Sequence, residues 1–176
     1  MTTAQFVDKL KDIALNYKTL YVMGCFGAPR NEENKKRLIN HHEYNAKPER
    51  VEKINEATSD TFGYDCSCLI KGVLWGWNGD VNANDGGAIY KSNNVPDIDA
   101  DKMIEVALDV SDDFTDIEVG EITWLKDHVG IYIGDGLCIE CSPKWSDGVQ
   151  ITACNTDVEG YNRRDWKLHG RLPFVE

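Results

Sequence analysis

The stretch Phe62-Gly-Tyr-Asp-Cys-Ser-Cys-Leu-Ile70 passes from turn-forming residues into an apolar helical pattern at Cys66. A second stretch, Asp127-His-Val-Gly-Ile-Tyr-Ile-Gly-Asp-Gly136, places His128 at the start of a hairpin strand. A thiol becomes a nucleophile when its pKa is lowered and a base lies within hydrogen-bond reach. In the first turn of a helix, free backbone N–H groups stabilise a thiolate. The two stretches therefore predict a nucleophile, Cys66, and a base, His128.

Hydrophobic periodicity predicts helices through much of the first 110 residues. Apolar residues recur three and four positions apart near the N-terminus, and more polar segments with sparse apolar stripes follow. The predicted helices cover residues 3–17, 31–45, 47–58, 66–75 and 99–110, the last with Met103, Ile104 and Leu108 facing inward. Residues 76–97 are rich in glycine and asparagine and are predicted to form a long loop.

From residue 121 onward the hydrophobic period changes to two, which is typical of strands. The predicted strands cover residues 121–125, 128–133, 137–141, 149–153 and 168–174. Gly134-Asp-Gly136 provides the hairpin turn between the second and the third. Helices followed by a meander of strands predict one α+β domain over residues 1–176. In it, N-terminal helices pack on one face of an antiparallel sheet of about five to six strands.

Composition narrows the classes of partner. The 176 residues include 30 acidic and 19 basic side chains, a formal net charge of −11. A surface of this sign repels phosphate backbones, so nucleic acid is not an expected partner. The sequence has no run of 18 apolar residues and no signal-peptide pattern, so neither a membrane span nor a secretion signal is expected. Six cysteines are too few for a disulfide scaffold, which favours reduced thiols.

Glu140 is the candidate that orients the base. Counted from the middle of the hairpin turn, His128 lies seven residues before and Glu140 five residues after, which predicts a diagonal pair on neighbouring strands. A carboxylate in this place would fix the tautomer of the imidazole ring. Asp65 and Ser67 flank Cys66 and are expected to cap the start of its helix.

Three motifs resemble those of the NlpC-type cell-wall peptidases, a branch of the papain-like cysteine peptidases. Tyr64-Asp-Cys-Ser-Cys-Leu-Ile70 resembles their Asp-Cys-Ser-Gly-Leu-Val signature. His128-Val-Gly-Ile-Tyr-Ile-Gly-Asp-Gly136 resembles the motif in which a histidine opens a strand ending in a Gly-x-Gly hairpin. Tyr21-Val-Met-Gly24, with Pro29, is similar to their upstream Tyr-x-x-Gly segment, whose tyrosine lines the active site. The resemblance covers about residues 20–174 and preserves the order of the motifs.

The resemblance implies a papain-like fold and assigns three catalytic roles. Cys66 would be the nucleophile, His128 the base and Glu140 the third polar residue. The family most often has histidine in the third place and sometimes asparagine or glutamine. A glutamate there resembles the phage amidase-peptidases of the CHAP type. Cys68 replaces a glycine of the signature, a position that needs only a small side chain.

The same resemblance implies a substrate and a reaction. Tyr21, Asp65 and Ser67 would line the substrate site, and an amide of the peptide stem of bacterial peptidoglycan would be cut through a thioester, without metal or cofactor. The favoured bond joins D-glutamate to the diamino acid, and an N-acetylmuramoyl-L-alanine amidase is the alternative. Residues 166–174 resemble the last strand of phage lysins. The implied places of action are therefore the host cytoplasm and then the wall, or a secreted or phage-particle form, with any wall-binding domain outside this chain.

A function of another class is a non-catalytic wall-binding or zinc-binding module. Cys66, Cys68, Cys138 and Cys141 could supply four thiolates to zinc. Cys138 and Cys141 lie on a predicted strand, however, where residues three apart point to opposite faces. A Cys-x-Cys pair is also not a usual spacing in structural zinc sites, so the sequence favours catalysis.

Overall fold

The computed structural model describes all 176 residues of the chain. Its helices are α1 (Thr3–Asn16), α2 (Glu32–His41), α3 (Pro48–Glu56), α4 (Cys66–Leu74) and α5 (Ala100–Val106), with a short 3₁₀ helix at Ser92–Asn94. Its strands are β1 (Lys18–Tyr21), β2 (Phe26–Pro29), β3 (Thr61–Tyr64), β4 (Leu108–Ser111), β5 (Ile122–Leu125), β6 (His128–Gly134), β7 (Leu137–Ser142), β8 (Gly148–Cys154), β9 (Arg163–Arg164) and β10 (Leu168–Arg171).

The main sheet has seven strands in the order β4-β10-β5-β6-β7-β8-β9. All neighbouring pairs are antiparallel except β8 and β9, which are parallel. At the hairpin between β6 and β7, Asp135 has a φ of +55° between two glycines that also have positive φ. The Gly134-Asp-Gly136 sequence tolerates these left-handed conformations, which is why the chain reverses here.

A smaller sheet of three strands leads into the central helix. Its order is β1-β3-β2, with β1 and β3 parallel, and β3 ends one residue before the cap of α4. Every residue of α4 is buried, and the helix contacts β2, β6 and β7. The approach to β2 depends on Gly72, where a Cβ atom would lie 2.7 Å from the carbonyl oxygen of Phe26. Helix α4 is therefore packed between the two sheets.

Helix α1 covers another part of the hydrophobic core. The Thr2 side chain accepts the N–H of Gln5, and the Gln5 side chain accepts the N–H of Thr2. This capping box satisfies two N–H groups at the helix start. The buried stripe of α1 consists of Phe6, Val7, Leu10 and Ile13. The helix contacts α4, β7 and β8, so it packs the apolar face of the main sheet.

The α+β class with helices on a mostly antiparallel sheet is confirmed, although the sheet has seven strands rather than five or six. The helix expected over residues 99–110 is wrong beyond Val106, because Leu108 begins β4. Leu108 is exposed rather than inward, since β4 is recruited as an edge strand by β10. None of the helices combines the length and apolarity that a membrane crossing requires.

Candidate active site

Cys66 is the first residue of α4 and its backbone is fixed by the residue before it. One carboxylate oxygen of Asp65 accepts the N–H of Cys68 at 2.7 Å and the hydroxyl of Ser67 at 3.2 Å. The other accepts the N–H of Gly24 at 2.7 Å. Asp65 therefore caps the helix and ties it to the turn after β1, as a helix-capping carboxylate does. Asp65 and Ser67 both lie at the lining of the cleft beside Cys66.

The thiol of Cys66 lies against the backbone on either side of His128. Its sulfur is 4.0 Å from the carbonyl oxygen of Asp127, and the N–H of Val129 is within reach of it. Burial, followed by the negative charge of Asp65, raises the pKa of Cys66 to about 12 in spite of nearby N–H groups. The expectation that the helix start lowers this pKa is therefore wrong. Desolvation of the charged form outweighs the helix N-terminus when the sulfur is this deeply placed.

The His128 ring is fixed on one edge and on one face. Its Nε2 atom donates to Oε2 of Glu140 at 2.6 Å. The ring stacks on the indole of Trp166, with centroids 5.4 Å apart and planes inclined by 10°. Glu140 pairs with Gly130 across the β6–β7 ladder, two residues beyond His128, so the contact is diagonal. The other ring nitrogen, Nδ1, makes no hydrogen bond and is the one free to take up a proton.

Glu140 is a buried carboxylate with four donors. Besides His128, it accepts the hydroxyl of Thr152 at 2.7 Å and two N–H groups of Arg164 at 2.7 and 3.1 Å. Burial opposes ionisation of Glu140, but the hydrogen bonds from His128 and Arg164 outweigh it and lower its pKa to about 2. The carboxylate is therefore charged at neutral pH and cannot rotate freely. Sequence reasoning missed Arg164, whose only signal is the Arg163-Arg164 pair in an otherwise featureless segment.

Cys66 opens into a cleft of about 670 Å³. Its lining includes Tyr21, the six aspartates 65, 85, 97, 99, 101 and 127, and the basic residues Arg37 and Lys71. Aromatic side chains of the lining are Phe26, Trp75 and Tyr90. His128 and Glu140 do not line the cleft. The thiol thus belongs to the lining of the cleft, whereas the imidazole and the carboxylate do not.

Tyr21 is the last residue of β1 and lies in the cleft wall. Its carbonyl oxygen accepts a hydrogen bond from buried Arg50, whose guanidinium carbon is 5.9 Å from the Tyr21 ring centre. Burial, then the proximity of Cys66 and Asp65, raises the pKa of Tyr21 far above its usual value. The side chain is therefore a neutral phenol that can donate a hydrogen bond into the cleft.

The remaining cysteines are free thiols scattered through the core. Cys141 donates to the carbonyl oxygen of Tyr64 at 3.2 Å, whereas Cys138 accepts a hydrogen bond from the Thr123 hydroxyl. No three His, Cys, Asp or Glu side chains come together in an arrangement that could hold a metal ion. The four thiols considered for zinc are thus not gathered into one cluster.

Comparison with known proteins gives similarity at the level of structure only. The P60 domain of an antigen from M. avium subspecies paratuberculosis is similar with a TM-score of 0.48 and 15% identity, over 99% of this chain and 98% of that one. NlpC2 from Trichomonas vaginalis is similar with a TM-score of 0.46 and 15% identity, over 97% of this chain and 46% of that one. No family model and no curated protein matches the sequence.

Proposed function

We propose that this chain is a cysteine peptidase or amidase that hydrolyses an amide bond in the peptide stem of bacterial peptidoglycan. The observation that carries the proposal is the position of Cys66. Its thiol lines a cleft, and the backbone that flanks His128 lies directly behind it. The ring of His128 is held by Glu140 and keeps one nitrogen free. The resemblance of the motifs around Cys66, His128 and Tyr21 to those of the NlpC-type cell-wall peptidases supports the substrate class.

The raised pKa of Cys66 determines the order of proton transfer. Because the thiol is protonated at neutral pH, attack on the amide carbon requires His128 to take the proton as the S–C bond forms. In this proposal the backbone N–H groups of Cys66 and Ser67, which lie near the sulfur, donate to the oxygen of the tetrahedral intermediate. His128 then gives its proton to the leaving amine, and a thioester remains.

Hydrolysis of the thioester uses the same residues. His128 removes a proton from water, the resulting hydroxide attacks the thioester carbonyl, and the protonated ring returns a proton to the sulfur. Glu140 holds the ring in one orientation throughout and stabilises the imidazolium that forms transiently. In this proposal Tyr21, Asp65 and Ser67 contact the substrate beside the scissile amide, and no metal or cofactor takes part.

The favoured bond joins D-glutamate to the diamino acid. Six aspartates line the cleft, and three of them pair with Arg37, Lys71 and Lys126. The carboxylates in excess of these cations attract a substrate that carries a free amino group, as a diamino acid does. An N-acetylmuramoyl-L-alanine amidase is the alternative. We also propose that the domain belongs to a phage lysis module and that wall targeting depends on a domain outside this chain. The lysin-like segment 166–174 motivates both suggestions.

Digestion of purified peptidoglycan followed by mass spectrometry tests the proposal. The parent protein should release fragments that differ from the undigested stem by one hydrolysed amide, and their masses separate the endopeptidase from the amidase. Cys66→Ala should release none, whereas Cys154→Ala, a buried cysteine of β8 outside the cleft lining, should cut as the parent does. Equal release by Cys66→Ala would refute the proposal and leave a non-catalytic wall-binding module.

A further inference from the structure

The carboxylate of Glu140 is held by a second element of the sheet besides the one that carries His128. Arg164 of β9 donates from Nε to Oε1 at 3.1 Å and from Nη2 to Oε2 at 2.7 Å. The Glu140 side chain has no exposed area and that of Arg164 is 14% exposed. A bidentate guanidinium–carboxylate contact of this kind is strong and fixes the plane of the carboxylate.

One oxygen of Glu140 accepts hydrogen bonds from two donors, His128 and Arg164. Oε2 accepts from Arg164 and from Nε2 of His128 at 2.6 Å, so the guanidinium sets the direction from which the ring is held. The same short segment provides the other restraint on the ring, since Trp166 stacks on its face. The segment of residues 163–166 thus acts on His128 twice, directly through Trp166 and indirectly through the contact of Arg164 with Glu140.

Arg164 is itself held in place from both sides. Its backbone pairs with Cys154 in the parallel β8–β9 ladder. Its guanidinium carbon lies 4.7 Å from the ring centre of Trp145, in cation–π contact. A side chain restrained in this way loses little conformational freedom when it binds the carboxylate.

We propose that Arg164 is a positioning residue of the site, which fixes the Glu140 carboxylate and offsets its charge. Glu140 can then orient the His128 ring without strongly favouring the protonated ring. The inference rests on the proposed roles of Cys66 and His128. An uncompensated carboxylate beside an imidazole favours the imidazolium, which cannot act as a base. The lowered pKa of Glu140 is consistent with this arrangement, because both ends of the contact with Arg164 are then charged.

The charged and titratable groups around His128 all influence the pH dependence of kcat/KM. They are Glu140 of β7, Arg164 of β9, Cys66 of α4 and, in the turn before β6, the solvent-exposed carboxylate of Asp127. Only Arg164 is changed in the test. A shift of the acidic limb of the profile in its variants therefore reports the loss of charge compensation at Glu140.

Three variants test the proposal by the pH dependence of kcat/KM on a stem peptide and by NMR titration of the His128 ring. In Arg164→Gln, kcat/KM at neutral pH should fall roughly ten- to a hundredfold. Its acidic limb should move to higher pH by about one unit, because the carboxylate then stabilises the protonated ring. Arg164→Lys keeps the positive charge but cannot make the bidentate contact. The acidic limb of its pH profile should therefore stay near that of the parent, while kcat falls. Arg163→Gln is the matched control, since Arg163 is half-exposed and pairs only with Asp157 and Asp165.

The two readouts separate failure of this inference from failure of the proposed function. An active parent whose acidic limb and ring titration are unchanged by Arg164→Gln would overturn the positioning role, as would an equal effect of Arg163→Gln. If Arg164→Gln does not fold, a shift of the acidic limb of the pH profile in Arg164→Lys would overturn the positioning role in the same way. A parent without hydrolytic activity would instead refute the proposed function, because the ring titration needs no substrate.

Discussion

The main sheet contains two histidine–glutamate pairs of nearly equal length and different surroundings. In one, His128 of β6 donates to Glu140 at 2.6 Å. In the other, His169 of β10 lies 2.7 Å from Glu121, just before β5. All four side chains are largely buried. By distance alone, either pair resembles the imidazole and carboxylate of a catalytic site.

The difference lies in the second ring nitrogen. In His169 it contacts the carbonyl oxygen of Asp113 at 3.0 Å, so both nitrogens have partners and the ring ties the loop after β4 to the sheet. In His128 it has no partner, and a thiol lies against the neighbouring backbone. The comparison teaches that a short His–Glu contact does not mark a catalytic base. What distinguishes His128 as the proposed base is a ring nitrogen without a partner in a residue whose flanking backbone contacts the thiol of Cys66.

A large effect is expected in the ionisation of the Cys66 thiol. Since burial raises the pKa of Cys66 from 9.0 to about 12, its thiolate at pH 7 should be roughly a thousandfold rarer than that of an unperturbed cysteine. Alkylation of Cys66 by iodoacetamide, followed by peptide mass spectrometry, should be slow at pH 7 and rise steadily through pH 9. An alkylation rate that reaches a plateau below pH 9 would mean a preformed thiolate–imidazolium pair. Cys66→Ala is the negative control.

A smaller effect is expected when the carboxylates of the two pairs are exchanged for amides. Glu140→Gln should lower kcat/KM by roughly ten- to a hundredfold, because an amide cannot stabilise the imidazolium that forms during attack. Glu121→Gln should leave kcat/KM near that of the parent. Each change removes a buried charged acceptor and should lower the free energy of unfolding by about 1–3 kcal/mol in urea titrations.

The stability effect of Glu140→Gln has a defined pH window. The Glu140 carboxylate has a pKa of about 2 in the fold, below its ordinary value of 4.5, so its stabilising contribution is present above pH 4.5 and is lost as pH falls toward 2. The difference in unfolding free energy between the parent and the variant should shrink over that range. A difference that stays constant from pH 7 to pH 2 would contradict the charged contact with Arg164.

Much of the fold is predictable from local patterns. Helix α4 follows from the apolar run after Asp65, and the β6–β7 hairpin follows from alternating residues around Gly134-Asp-Gly136. The small sheet was not predicted, because its strands have four residues each and β1 pairs with β3 across some forty residues of sequence. The helix predicted over residues 99–110 is wrong beyond Val106 for a similar reason, since strand β4 depends on pairing with β10.

The candidate site divides in the same way. The diagonal contact of His128 with Glu140 follows from hairpin spacing, because ladder register is local. Arg164 reaches Glu140 from a two-residue strand 24 positions later in the sequence, and no hydrophobic periodicity predicts such a contact. The pKa of Cys66 was misjudged because the sequence reveals a helix start but not the depth of burial around it.

The most direct test of the account compares the two histidines by the same substitution. Rates of stem-peptide hydrolysis and melting temperatures should be measured for His128→Gln and His169→Gln beside the parent. His128→Gln should lose roughly a hundred- to ten-thousandfold in kcat/KM, because a general base has been removed. It should also melt somewhat below the parent, because the ring's contacts with Glu140 and Trp166 are changed. His169→Gln should melt at a lower temperature and retain its rate below that temperature. Equal losses of rate in the two variants, or full activity in His128→Gln, would contradict the assignment of His128 as the base for Cys66.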